Sequence, residues 1–378
     1  MAAEHVPWAA AILCYIQYAI LITFGHLRDH AGRIFGGSRY SNTTEKGYAP
    51  LCAAFENFYT KRIYHRLQDV FNRPVAGLPG AQIDLIERYS VDENKTLHNK
   101  DGCTQRCVNL GSYNYLGFAD DWMNTCSKEV FPTVKQFALA STVPPMEFGT
   151  TSVHIALEKA LAKFIGKESA IVYNMGYATN ATSIPALTVK GTLILSDALN
   201  HTSIVNGARA SGASVGVFKH NDPAHLEKII SFMRNSSAGA IYATSLSPVV
   251  AQQVLTALNI IAGLDGTDIG RKKITSLREN SNYFRQKLID MGVITLGDFD
   301  SPVIPVMLYH MSKVGEFSRE CLKRNLAVVT VGFPATPLLL ARVRFCVSAA
   351  HTREDIDAAL IALKEVSDLC NICFAKKA

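Results

Sequence analysis

Thr192-Leu193-Ile194-Leu195-Ser196-Asp197-Ala198-Leu199-Asn200-His201-Thr202-Ser203 is the stretch on which the fold class turns. Four consecutive apolar or β-branched residues run into Ser-Asp, and after a short turn Asn200 and His201 open an amphipathic segment that closes at Gly212. The pattern predicts strand, loop, helix. In an α/β sheet, ligands sit outside the carboxyl ends of the strands, so a histidine in this loop is a candidate cofactor residue. Taken alone, the same residues also read as a helix cap, Asn200, beside a surface histidine.

The pattern repeats on both sides. Upstream, His154 to Phe164 has helical spacing with Ile155, Leu157, Leu161 and Phe164 inward, Ala170 to Asn174 reads as a strand, and Gly176-Tyr177 opens a helix to Leu187. Downstream, Ser214 to His220 is a further strand. Alternating strands and helices predict a mainly parallel sheet with crossover helices. After Ile230 the character changes. Ser247-Pro248 starts a helix, with Ser as N-cap and Pro at the first helical position, that Gly263 ends. A longer helix from about Asp268 to Met291 carries Leu277, Phe284, Leu288 and Met291 on one face. Val303 to Leu308, Ala327 to Val331 and Arg342 to Ser348 then read as strands of a smaller α+β domain. Expected divisions are 1–47, an N-terminal helix and linker; 48–109, an amphipathic helix and lead-in; 110–262, a large domain; and 263–378, a small one.

Trp8 to Phe24 is apolar apart from Gln17 and Thr23, slightly short of the ~20 residues a spanning helix prefers. No basic residue precedes it, which argues against a secretory signal, and Arg28, Arg33 and Arg39 follow it. A membrane helix, spanning or interfacial, with the bulk of the chain in the cytosol is the expectation. A linker from Gly36 to Gly47 and an amphipathic helix from Cys52 to Val70 follow. With 48% apolar and 19% charged residues, the chain can bury a substantial core. Its net charge of +6 is spread thinly, which sets nucleic-acid binding aside. Nine cysteines without a paired framework indicate a reduced compartment. Cys370 and Cys373 have no second pair or histidine cluster to make a metal site.

Four motifs occur in the order of one family: Asn109-Leu110-Gly111-Ser112-Tyr113-Asn114-Tyr115-Leu116-Gly117-Phe118; Gly149-Thr150-Thr151 with His154 and Leu157-Glu158; Asn174-Met175-Gly176-Tyr177-Ala178-Thr179-Asn180; and the Asp197 to His201 segment. On these the chain, from about Phe55 onward, resembles the α-oxoamine synthases, and among them the serine palmitoyltransferases. The resemblance implies a pyridoxal 5′-phosphate (PLP) enzyme of fold type I, with large and small domains, that condenses L-serine with palmitoyl-CoA. It also implies a partner subunit 1, small regulatory membrane subunits, and the endoplasmic reticulum membrane.

The resemblance assigns Gly176 and Tyr177 to the cofactor phosphate, where backbone N–H groups at a helix start and the helix dipole suit an anion. It assigns His201 to stacking on the cofactor ring, and the hydroxyls of Thr244 and Ser245 to the phosphate of a neighbouring subunit. Arg344, in Arg342-Val343-Arg344-Phe345-Cys346-Val347-Ser348-Ala349-Ala350-His351, falls on the position that takes the amino-acid carboxylate, for which a planar guanidinium is suited. Asn114 is placed on the substrate side. A solvent-facing edge strand would show the same alternation as the Arg342 segment.

Two parts of the family pattern are absent: a strand ending Asp-Glu-Ala-His, which supplies a carboxylate to the pyridine nitrogen, and Thr-Phe-Thr-Lys-Ser-Phe-Gly, which supplies the Schiff-base lysine. The match runs to about Ile230 and resumes at about Ser231, so roughly a hundred residues of the large domain are expected to be missing there. Lys219 and Lys228 stand in no Thr-Lys-Ser turn. Loss of central strands would expose sheet edges and apolar surface. Three readings follow: a serine palmitoyltransferase chain lacking an internal segment and inactive as written, a noncatalytic membrane-bound form that binds the partner subunit, and another α-oxoamine synthase.

Overall fold

The computed structural model describes residues 6–35, 63–218 and 246–374, except 93, 95, 138, 198 and 334. The 36–47 linker, most of the Cys52 to Val70 helix, Lys219, Lys228, the 230/231 junction, Thr244 and Ser245 lie outside them. In chain order the main elements are α1 (Trp8–Ile34), β1 (Gln82–Tyr89), β2 (His98–Asn109), α2 (Ser127–Phe137), α3 (Ser152–Ile165), α4 (Gly176–Leu187), β3 (Leu193–Asp197), α5 (Thr202–Ala210), β4 (Ser214–Phe218), α6 (Pro248–Ile261), α7 (Ile269–Asp290), β5 (Val303–Tyr309), α8 (Met311–Lys323), β6 (Leu326–Ala327), β7 (Val329–Val331), β8 (Ala341–Cys346) and α9 (Arg353–Leu369). They form two compact units, 1–120 with 272–378, and 121–271.

In the first unit, β5, β8 and β7 make an antiparallel sheet in the order β5-β8-β7, and β1, β2 and β6 make a second sheet. Along β8 the side chains alternate as anticipated: Ala341, Val343 and Phe345 are buried while Arg342 and Arg344 are partly exposed. The apolar face meets Phe284 and Leu288 of α7, Val314 and Phe317 of α8, and Ile356, Leu363 and Val366 of α9. Burial at about 25 cal/mol per Å2 of apolar surface makes this cluster the main support of the unit. The expected single strand Ala327 to Val331 divides at buried Val328: Leu326 and Ala327 pair in parallel with β2, and Val329 to Val331 pair antiparallel with β8. One extended segment thus serves two sheets, which its period-2 pattern could not reveal.

Helix α1 is apolar nearly all round, yet only one stripe is covered. Ala10 packs beside Met307 and Tyr309, the Cys14 thiol lies 3.9 Å from the Tyr309 carbonyl oxygen, and Tyr18 and Leu21 pack against the main core, one helical face at i, i+4, i+8 and i+11. Trp8, Ile12, Leu13, Ile16, Ile20 and Phe24 are exposed.

In the second unit, β3 and β4 pair in parallel from Leu193↔Ser214 to Asp197↔Phe218, with α5 as the crossover between them. Parallel strands are ordinarily buried on both faces. Here Leu193 is 63% and Val217 68% exposed, so the expected uncovered apolar surface is present. Ala170 to Asn174 forms no strand, a correction of the sequence reading. The Val172 N–H donates to Glu158 Oε1 at 3.3 Å instead of to a ladder. A second correction concerns α3, where Val153, His154, Leu157 and Ala162 are buried while Ile155 and Phe164 are exposed. At 100° per residue Ile155 lies 200° from Leu157, so the two cannot share a face. Gly166, at φ 71°, closes α3 in the left-handed conformation that glycine tolerates best.

Candidate functional site

The predicted residues fall in both units, and each half is built separately. In the 121–271 unit, α4 begins at Gly176 after Met175, whose side chain supplies no cap. The first N–H groups of a twelve-residue helix therefore have no partner inside the helix and point out of its start. A Cβ placed on Gly176 would meet no heavy atom within 4 Å, so packing within the chain does not demand glycine. The open ground above these N–H groups is what an approaching anion needs.

Tyr177 is held by Asn206 of α5, whose Nδ2 donates to the phenol oxygen at 2.6 Å. His201 is itself the N-cap of α5. Its Nδ1 accepts from the Ser203 N–H at 3.1 Å and lies 2.8 Å from Ser203 Oγ, which in turn accepts from Asn180 Nδ2 of α4 at 3.0 Å. Because a backbone N–H can only donate, Nδ1 is the acceptor and the neutral ring carries its proton on Nε2. The ring is exposed. Asn200, the expected cap, instead donates from Nδ2 to Ser196 Oγ at 2.9 Å and so fixes the turn after β3. Two separate hydrogen-bond connections, Asn206 to Tyr177 and His201 through Ser203 to Asn180, thus tie α5 to α4.

In the other unit, Arg344 lies under Tyr113. Its Nη1 donates to the Tyr113 hydroxyl and its Cζ sits 4.5 Å from the ring centroid, a cation–π arrangement. Arg344 Nε is enclosed and has no hydrogen-bond partner, so the guanidinium retains donor capacity. Next along the strand, Cys346 lies with Sγ 4.0 Å from the Tyr115 hydroxyl. Burial pushes both groups above their ordinary pKa values, which keeps them protonated and makes neither a base.

Asn114 spends its side chain on its own turn: Oδ1 accepts from the Ala119 N–H at 3.1 Å and Nδ2 donates to Asp120 Oδ2 at 2.8 Å. Its carbonyl accepts from Ser348 Oγ at 2.6 Å.

His351 joins the Asn109 motif to the Arg344 motif. Buried, it accepts the Ser348 N–H on Nδ1 at 3.0 Å and donates from Nε2 to the Asn109 carbonyl at 3.1 Å. Asn280 of α7 braces the same turn, donating to the carbonyls of His351 at 2.8 Å and Ser348 at 3.3 Å. Gly117, at φ 68°, lets the loop approach: a Cβ there would lie 2.9 Å from the Ala350 side chain. Sequence reasoning gave no role to Tyr113, His351 or Asn280. The first two lie inside quoted motifs; nothing in the sequence distinguishes Asn280.

The family model described as aminotransferase class I and II matches residues 105–246 and again 226–363. Long chain base biosynthesis protein 2d of Oryza sativa subsp. japonica is 40% identical over 473 residues, covering 97% of this chain and 96% of the relative. Serine palmitoyltransferase 2 of Dictyostelium discoideum is 36% identical over 476 residues, covering 99% and 96%. Among solved structures, the Sphingomonas wittichii serine palmitoyltransferase has a TM-score of 0.68 at 20% identity, covering 86% of this chain and all of that one. That likeness establishes the aminotransferase fold. Since 97% of 378 residues is about 367, the 473-residue alignment with the rice protein leaves about a hundred positions without a counterpart here. The two overlapping family-model matches meet at 226–246, where the sequence motifs break off.

Proposed function

The chain belongs to the aminotransferase class I and II family, and on that premise we propose that it is a serine palmitoyltransferase chain of the long-chain-base 2 type, from the PLP-dependent pathway that joins L-serine to palmitoyl-CoA with loss of CO2 in sphingolipid synthesis. The identity of 40% along nearly the whole of both chains carries this reading. When bound, PLP supplies the electron sink for carbanion chemistry.

The residues fit the cofactor in part. Open space at Gly176 and the unpaired N–H groups at the start of α4 suit its phosphate, Tyr177 is fixed beside them, and His201 presents an exposed ring from the adjoining helix. Thr244 and Ser245 would add hydroxyls to the phosphate. Arg344, steered by Tyr113, suits the serine carboxylate, with Asn114 shaping the loop at its side. The aldehyde end does not fit: neither the Thr-Phe-Thr-Lys-Ser-Phe-Gly segment nor the Asp-Glu-Ala-His segment of the family occurs in this sequence. No chemical step is therefore assigned to it.

The hundred-position gap favours a second reading beside the first, a noncatalytic form that binds its partner subunit. The apolar outer face of α1 suits association with the endoplasmic reticulum membrane, and subunit 1 and small regulatory subunits would be its partners there. To test these readings, the chain is co-expressed with subunit 1, and 3-ketodihydrosphingosine formation is compared before and after the corresponding segment of a full-length relative is inserted between Ile230 and Ser231. The expected result is no product from the chain as written and product from the graft. Product from the unaltered chain would overturn the assignment of inactivity, and a silent graft that folds would overturn the family activity.

A further inference from the structure

A cavity of about 470 Å3 lies in the 1–120/272–378 unit, walled in part by Asp69, Arg73, Arg88, Asn94, Gln105 and Arg319. None of the residues assigned above to cofactor or substrate lines it. Its charges are unequal. Arg319 takes both oxygens of Asp69, each at 2.8 Å, and Asn94 Nδ2 donates to the same carboxylate at 2.9 Å. Arg88 donates to the carbonyls of Asp69, Phe71 and Asn72 at 3.0, 2.9 and 3.1 Å, which places its charge without cancelling it.

Arg73 makes one bond, from Nε to the Asp69 carbonyl at 3.4 Å, and among the described residues its two Nη groups have no acceptor. The other charged groups of the wall are engaged elsewhere, Glu87 with Lys100 at 2.8 Å and Lys323 with Glu320 at 2.6 Å. Two guanidiniums therefore share the cleft with the single carboxylate of Asp69, whose oxygens already accept from Arg319 and Asn94.

We propose that this cleft binds a phosphate-bearing anion, with the open fork of Arg73 as its principal donor and Arg88 as the supporting charge. A guanidinium fork matches phosphate oxygens bidentately, and the Nη groups of Arg73 have no hydrogen-bond acceptor among the described residues. Consistent with this, burial holds Arg73 below the ordinary arginine range, an effect that the Asp69 charge opposes in part and the neighbouring Arg88 charge adds to. The cavity has room for more than the phosphate, so a soluble organic phosphate and the headgroup of a phosphorylated lipid share the required chemistry.

Calorimetric titration of the full chain in detergent with inorganic phosphate tests the site. Binding that weakens with salt is expected, and Arg73→Gln should weaken it at least about tenfold, as loss of a charged hydrogen-bond donor does. Arg73→Lys, which keeps the charge but not the fork, should fall between. Arg106→Gln, an exposed arginine paired with Asp84 on the same hairpin, should change nothing. Flotation with phosphatidylcholine vesicles, with and without a phosphoinositide, assigns the source: Arg73-dependent flotation only with the phosphoinositide identifies a lipid headgroup, and binding of soluble phosphate alone a soluble ligand. Absence of phosphate binding by the wild-type chain, or equal binding by folded Arg73→Gln and Arg73→Lys chains, would overturn the proposal.

Discussion

His351→Ala should separate the two signature motifs of the 1–120/272–378 unit. Both imidazole bonds are buried, and removing the ring leaves the Ser348 N–H and the Asn109 carbonyl without it. Each buried group stranded in this way costs about 1–3 kcal/mol, so about 2–6 kcal/mol is expected before the lost packing is counted. The same bond predicts a pH dependence. Nδ1 accepts an N–H, so the ring must be neutral, and burial holds its pKa below the ordinary value. Protons then bind more readily to the unfolded chain. The contribution is therefore complete above the unfolded histidine pKa of about 6.5 and declines as pH falls from there through the lower folded value. Urea unfolding in detergent, followed by far-UV circular dichroism at pH values on either side of that range, measures both effects. A cost under about 0.5 kcal/mol, or an unchanged pH slope in His351→Ala, would refute the reasoning.

Arg285 is a fully buried arginine that donates to the carbonyls of Leu296, Gly297 and Val303. Arg285→Ala should cost roughly 3–5 kcal/mol in the same urea assay. Gly207 of α5 lies so close to α4 that a Cβ would stand 2.6 Å from the Asn180 carbonyl oxygen. Gly207→Ala should destabilise by about 1–3 kcal/mol despite alanine's higher helix propensity, read as a lowered thermal midpoint. His201→Ala should lose a cap worth about 1 kcal/mol, while His201→Asn restores the cap. If the ring also faces the cofactor, the Asn variant regains stability without regaining PLP affinity, measured by fluorescence titration.

Most elements were legible because their periods are local. The apolar stripe of α7, the β3–turn–α5 sequence around His201 and the alternation of β8 all depend on neighbours a few residues away. What was not legible depends on partners distant in the chain. Ala170 to Asn174 has strand composition, but a strand exists only where another offers a ladder, and β3 and β4 do not extend to it. Val328 divides a segment whose halves are claimed by β2 and β8. In α3 the error was one of phase, since Ile155 and Phe164 are apolar but lie off the Leu157 stripe. Within the site, Arg344 and Gly176 were visible through motif and context. The restraint of Arg344 by Tyr113 and the bridge made by His351 join residues more than two hundred positions apart.

On the proposed function, the start of α4 offers N–H groups to the cofactor phosphate while the Thr-Phe-Thr-Lys-Ser-Phe-Gly segment that carries the family lysine is absent from the sequence. Incubating the full chain with PLP, reducing with borohydride and mapping peptides by mass tests it directly. The account predicts no lysine carrying a stoichiometric pyridoxyl group. Complete labelling of a single lysine, at Lys219, Lys228 or elsewhere, would contradict it.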